Sequence, residues 1–209
     1  MSGFPGIIIS FAVSFGLLLL AVSAHEFAHG WVAFRRGDNT AKRAGRLTLN
    51  PLAHIDIFWT LLLPLSLFII SGGAYVFGAA KPVPINYQAL KNPRQDIIWV
   101  GLSGPLANFL FAVILSALFR FIPQQAMLSL LIRHLIYINI LLGVFNLIPV
   151  PPLDGSRILM GLLPRSLSTI YAGLEPFGFI IIILMMRSIF KLVIGPLINI
   201  ILNLLGIPF

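Results

Sequence analysis

Residues 21–34 read AVSAHEFAHGWVAF. Apart from His25, Glu26 and His29, the run has the composition of a bilayer interior. It belongs to an apolar stretch from about residue 6 to residue 34 that stops at Arg35-Arg36. About 20 residues of helix span a membrane, so the stretch is long enough to cross. On a helix, positions i and i+4 share a face, which lets His25 and His29 point at one metal ion. Glu26 sits one residue round and can reach a water beside that metal. His-Glu-x-x-His on a helix is the pattern in which two imidazoles hold zinc and a glutamate acts as general base. The bland reading is a polar patch tying two helices together. Ionisable groups are costly inside a membrane and mark function there, which favours the metal site. His25 lies roughly 15 Å before Arg35 along a helix and His29 about 9 Å before it. The site therefore falls inside the hydrocarbon, near the face where the span ends.

The surrounding composition agrees. Of 209 residues, 58% are hydrophobic and 10% charged, against about a quarter charged in soluble domains. There is too little polar surface to cover an ordinary globule. The chain reads as a single integral membrane domain over 1–209, with a catalytic core at about 6–165 and further C-terminal helices at about 166–209. It shows no internal repeat and no low-complexity tract. The absence of cysteine excludes disulfides and thiolate metal sites. A net charge of +8 fits basic loops on one side of a membrane and gives no reason to invoke nucleic acid. The first apolar run is too long for a signal peptide and lacks a basic n-region, so it is expected to be a retained helix.

The expected fold is an all-α polytopic membrane protein with about five transmembrane helices. They lie near 6–34, 96–119, 127–148, 167–186 and 189–207, the last kinked by Pro196. Residues 57–80 are expected to form a re-entrant element, since the first apolar arm is short and Gly72-Gly73 can turn it back. Were 57–72 a full crossing, Lys81, Lys91 and Arg94 would lie opposite Arg35, Arg36, Lys42, Arg43 and Arg46, against the positive-inside rule. With re-entry, ten of the fourteen basic residues face the cytoplasm. Short extended or β segments are expected near GRLTLN (45–50) and YVFGAAKPVPIN (75–86).

A catalytic zinc takes three protein ligands and leaves a position open. The candidate for the third is Asp154 in NLIPVPPLDG, 146–155, after a proline-rich break where backbone is tolerated only if buried or lining a cavity. The competing reading of Asp154 is a helix N-cap. The rival ligand is His54 beside Asp56, which reads more naturally as a loop histidine. His134 falls near the outer end of a span. Parity supports Asp154: with 57–80 re-entrant, His29 and Asp154 arrive at the same face.

Five motifs, HEFAH, NPLAHID, AKPVPIN, GPLAN and NLIPVPPLDG, occur in the order found in site-2 proteases, the intramembrane zinc metalloproteases of peptidase family M50. The chain resembles the short prokaryotic form without PDZ or CBS domain, over roughly residues 20–165. The resemblance implies zinc held by His25, His29 and Asp154, with Glu26 as the catalytic residue. It also implies a membrane-embedded polar role for Asn108 and places Asn146 in the segment before the aspartate. Asn108 could bond the substrate backbone or a developing oxyanion, or could equally tie helices together. The implied activity is hydrolysis of a peptide bond within or beside the transmembrane segment of a single-span membrane protein. The implied location is the cell membrane, with the active site in the cytoplasmic half. A metal transporter and a non-catalytic scaffold are the alternatives. Glu175, in an otherwise apolar span, is expected either to pair with a donor near the helix break or to line a substrate gate.

Overall fold

The computed structural model describes residues 4–70 and 80–207. Among the described residues four helical segments are long and apolar enough to cross a membrane: Phe11–Arg35, Pro93–Phe119, Met127–Asn146 and Arg165–Met185. The first is most of α1 (Phe4–Arg35). A short α2 (Thr40–Arg43) and a 3-10 turn at Pro51–His54 follow it. A π-helical turn at Ile57–Leu62 then leads into α3 (Leu63–Ile70). The second and third crossing candidates are α4 (Pro93–Phe119) and α5 (Met127–Asn146). After the proline-rich break comes α6 (Asp154–Leu162). The fourth candidate is α7 (Arg165–Ala172) with α8 (Gly178–Ile189), joined through a 3-10 turn at Glu175–Phe177. A π-helical turn at Phe190–Ile194 precedes α9 (Gly195–Leu205).

The expected fifth span is the shorter apolar helical run Phe190–Leu205. Pro196 stands in the first turn of α9. That helix directly follows the π-helical turn at Phe190–Ile194, so the helical run passes through Pro196.

Helices α1, α4 and α5 form the core, with α6 packed on α4 and α9 on α5. Polar contacts between α1 and α4 fix their antiparallel register. Arg36 bonds Asp96 at 3.0 Å, His29 reaches the Val100 carbonyl, and His25 reaches Asn108. Between α4 and α5, Asn108 meets Asn139. Ile136, Ile140, Ala112 and Ile198 are buried in one apolar cluster that joins α4, α5 and α9. The outer face of α4 exposes Leu106, Leu110, Val113 and Leu118. An apolar exterior over a core with buried polar contacts is the pattern of a helix bundle in lipid.

The end of α1 and the approach to α4 lie together, since the Lys91 amide donates to the Arg36 carbonyl at 2.9 Å. The Lys81 amide likewise donates to the His54 carbonyl at 3.0 Å. The chain between Arg36 and Lys91 therefore begins and finishes at one face of the bundle. Residues 71–79, which include the expected Gly72-Gly73 turn, lie outside the described residues.

No β-strand occurs among the described residues, so the extended or β segments expected at 45–50 and 75–86 carry no strand at 45–50 and 80–86, while 75–79 lie outside the described residues. Residues 44–50 make turns and bends, and 80–86 run without regular structure. Pro82 and Pro84 have no N–H for a ladder. The amides of Lys81, Val83 and Asn86 instead donate to the His54 carbonyl, the Glu26 carboxylate and the Asp38 carboxylate.

Candidate metal centre

Helix α1 carries His25 and His29 on one face, as the i, i+4 spacing requires. Both are 6% exposed, which places the imidazoles in the bundle interior. Asp154 opens α6, which follows the break after α5. The Nε2 atoms of His25 and His29 are 3.0 Å apart, and Asp154 Oδ2 lies 3.0 Å from the first and 3.1 Å from the second. Three ligands about 2.0–2.1 Å from a tetrahedral zinc stand about 3.3 Å from one another. The observed triangle is slightly tighter than that, and a small outward movement of each side chain suits it to the ion.

The orientation of each ring supports the same use. His25 Nδ1–H donates to Asn108 Oδ1 at 2.6 Å, and His29 Nδ1–H donates to the Val100 carbonyl at 2.7 Å. With the proton on Nδ1, each Nε2 offers its lone pair to the centre. Asn108 is itself fixed, because its amide nitrogen donates to the Ala21 carbonyl at 3.2 Å and to Asn139 Oδ1 at 2.8 Å. Asn139 in turn donates to the Leu135 carbonyl at 2.8 Å. Asn108 and Asn139 are both fully buried. Ser103 Oγ donates to the Val100 carbonyl at 2.7 Å and lies 3.3 Å from His29 Nδ1.

Space for an ion is kept by Gly104 of α4. A Cβ there would collide with His29 Nε2 and fall 2.6 Å from His25 Nε2. Glu26 is beside the triangle, and its Oε2 accepts from the Val83 amide at 2.7 Å. That contact ties the 80–86 segment to the site. Asp38 anchors the same segment, accepting from the Asn86 amide at 2.7 Å and from the Thr40 amide at 2.8 Å. Tyr87 follows it. Its ring lies under the Arg157 guanidinium at 5.6 Å, and burial pushes its phenol above the usual tyrosine range.

Among the described residues His25, His29 and Asp154 are the group that could hold a metal. His54 is fully buried elsewhere, with Nε2 bonded to the Thr48 carbonyl at 2.9 Å, as the loop reading expects. His134 is exposed. Asn146 donates to the Leu142 carbonyl within its own helix. Glu175 pairs with Arg157 of α6, the helix that Asp154 opens. The sequence reading missed Asn139, Ser103, Gly104 and the Val100 carbonyl. Each acts across a helix interface whose register is invisible in one chain's sequence. The one available signal was an asparagine within an apolar span.

The family model described as peptidase family M50 matches residues 11–133 and 122–186. The chain belongs to peptidase family M50. It is 35% identical over 192 residues to "Putative zinc metalloprotease YwhC" of Bacillus subtilis strain 168, covering 87% of this chain and 84% of that protein. It is 34% identical to "Putative zinc metalloprotease Rip2" of Mycolicibacterium smegmatis, over 80% of this chain and 64% of that longer protein. "Zinc metalloprotease MJ0392" of Methanocaldococcus jannaschii matches at 29% identity over 75% of this chain and 36% of its own length. No solved structure matches the chain. M50 membership makes the chain a zinc metalloprotease with membrane-crossing helices, ahead of a metal transporter or an inert scaffold.

Proposed function

We propose that this M50 protein is an intramembrane endopeptidase. It hydrolyses a peptide bond within or beside the transmembrane helix of a single-span membrane protein. The observation that carries the reading is the meeting of His25, His29 and Asp154 within 3.1 Å of one another on helices of a membrane bundle. These three residues would hold the zinc. When bound, zinc supplies Lewis acidity, lowering the pKa of a water towards about 7 and polarising a carbonyl. Glu26 takes the proton of the attacking water on its carboxylate and delivers it to the departing amine nitrogen. The Val83 amide orients that carboxylate. Asn108 acts as a positioning residue for His25, because both ends of its amide are engaged by protein.

The topology that suits this reading has residues 57–80 dipping into the bilayer and returning. The adjacency of His54 and Lys81 supports it. The face where α1 ends is then cytoplasmic, because it gathers Arg35, Arg36, Lys42, Arg43, Lys91 and Arg94. The metal centre lies in that half of the cell membrane, with the bilayer and the substrate helix as its partners. An unwound substrate would lie beside residues 80–86.

The test is cleavage of a single-span substrate by the chain in proteoliposomes, wild type against Glu26→Gln, with bound zinc measured in both. The variant is expected to keep its zinc and lose about a hundredfold or more in turnover. Cleavage at the wild-type rate by the variant overturns the mechanism. Glu26-dependent zinc uptake into the vesicles would support transport instead.

A further inference from the structure

A cavity of about 480 Å³ opens between α1 and α4 at the face where α1 ends. Arg35, Arg36 and Lys91 line it, as do Trp31 and Trp99, with Leu106 and Ser103 further along α4. Among the described residues the acid paired with these three cations is Asp96, which is fully buried against Arg36. The rim thus keeps excess positive charge. The two guanidinium groups are held in place by the indoles, Arg35 at 5.6 Å from the Trp31 ring centre and Arg36 at 5.7 Å from that of Trp99. Trp31, Trp99 and Leu106 are each about half exposed.

The groove is graded along the bundle. Cations stand at its mouth, and the indoles lie within a turn or two of them. Leu106 lies seven residues beyond Trp99, about 10 Å deeper at the helical rise. Beyond it the exposed leucine and valine side chains of α4 continue the apolar surface. A positive-inside bias alone places basic residues at this face. It does not require a cavity, nor arginines laid on tryptophan faces at the rim. A ligand matching the gradient has a phosphate at one end, a carbonyl-bearing glycerol at indole level and an acyl chain beyond.

We propose that this groove binds one anionic glycerophospholipid, its phosphate held by Arg35, Arg36 and Lys91, its glycerol against Trp31 and Trp99, and one acyl chain along Leu106. The back of the groove is shared with the metal centre, since Ser103 lines it and lies 3.3 Å from His29 Nδ1. The site does not depend on the proteolytic reading.

Its test uses the groove's own fluorophores. Two of the three tryptophans line it, and Trp59→Phe removes the third. In phosphatidylcholine nanodiscs, brominated phosphatidylglycerol is expected to quench Trp31 and Trp99 with a relative association constant on the order of tenfold above that of brominated phosphatidylcholine. The double variant Arg35→Gln, Lys91→Gln should bring that ratio close to one. The charge-preserving Arg35→Lys, Lys91→Arg should keep it, which separates lost charge from lost fold. Equal quenching by the two lipids overturns the proposal. So does a preference that survives the glutamine variant. Loss of the preference on adding excess inorganic phosphate would show a site that reads phosphate alone, and overturns the lipid assignment.

Discussion

Two features of single residues decide whether the three ligand atoms can meet: the proton on each imidazole and the missing side chain at position 104. Asn108 and the Val100 carbonyl hold the protons on the Nδ1 atoms, leaving both Nε2 atoms for metal. Gly104 leaves the volume into which those atoms point. Gly104→Ala puts a methyl on an α4 backbone that α1 and α5 both pack against, so the rings must give way. Zinc affinity is expected to fall about a hundredfold, the upper range for disturbing the partners of metal ligands. A competition titration against a chromophoric chelator measures it. Gly16→Ala is the control, because a Cβ there meets nothing within 4 Å. Zinc affinity unchanged in Gly104→Ala would remove the cradle argument. The pair His25 and His29 was legible from a five-residue motif, since i, i+4 geometry is local. Asp154 is 125 residues beyond His29, and it was reached through the proline-rich break before it, the parity of crossings and the order of motifs rather than through local geometry. The supporting Asn139 had no such handle.

At the scale of elements, the loop over the site is held by side chains where a short extended or β segment was expected. Two prolines deny residues 80–86 a ladder, and its remaining amides are drawn to Glu26, Asp38 and the His54 carbonyl. The sequence pattern of alternating apolar residues could not show this, because each acceptor comes from elsewhere in the chain. Asp38 is 1% exposed and joins the end of α1, the start of α2 and the loop. Hydrogen bonds to a charged group contribute about 1.5–3 kcal/mol each. Asp38→Ala should therefore loosen the loop by about 2 kcal/mol or more. Hydrogen exchange should show faster exchange of the Val83 and Asn86 amides, with zinc content retained and turnover lowered as Glu26 loses its fixed partner. Unchanged exchange at both amides would mean that the loop is held by other contacts. The opposite outcome for turnover, a gain, would mark the loop as an obstruction to substrate.

Across the whole molecule, the helices that cross were legible because bilayer thickness sets their length whatever their neighbours are. What length cannot show is the number of crossings between the first and second of them. Residues 57–70 are apolar and helical yet shorter than a span. The arrangement answers through its ends: the Lys91 amide donates to the Arg36 carbonyl, and the Lys81 amide to the His54 carbonyl. An odd number of crossings between Arg36 and Lys91 would put those partners on opposite sides of the bilayer and draw Asp154 away from His29. The chain has no cysteine, so single ones report cleanly. Ala44 and Asn92 are exposed at the face where α1 ends, and Gln124 is exposed in the α4–α5 turn. A membrane-impermeant maleimide applied to sealed inverted vesicles should label Ala44→Cys and Asn92→Cys alike and spare Gln124→Cys. Applied to right-side-out cells it should label Gln124→Cys alone. Labelling of the Ala44 and Asn92 positions from opposite sides would overturn the re-entrant reading, and with it the meeting of Asp154 with the two histidines.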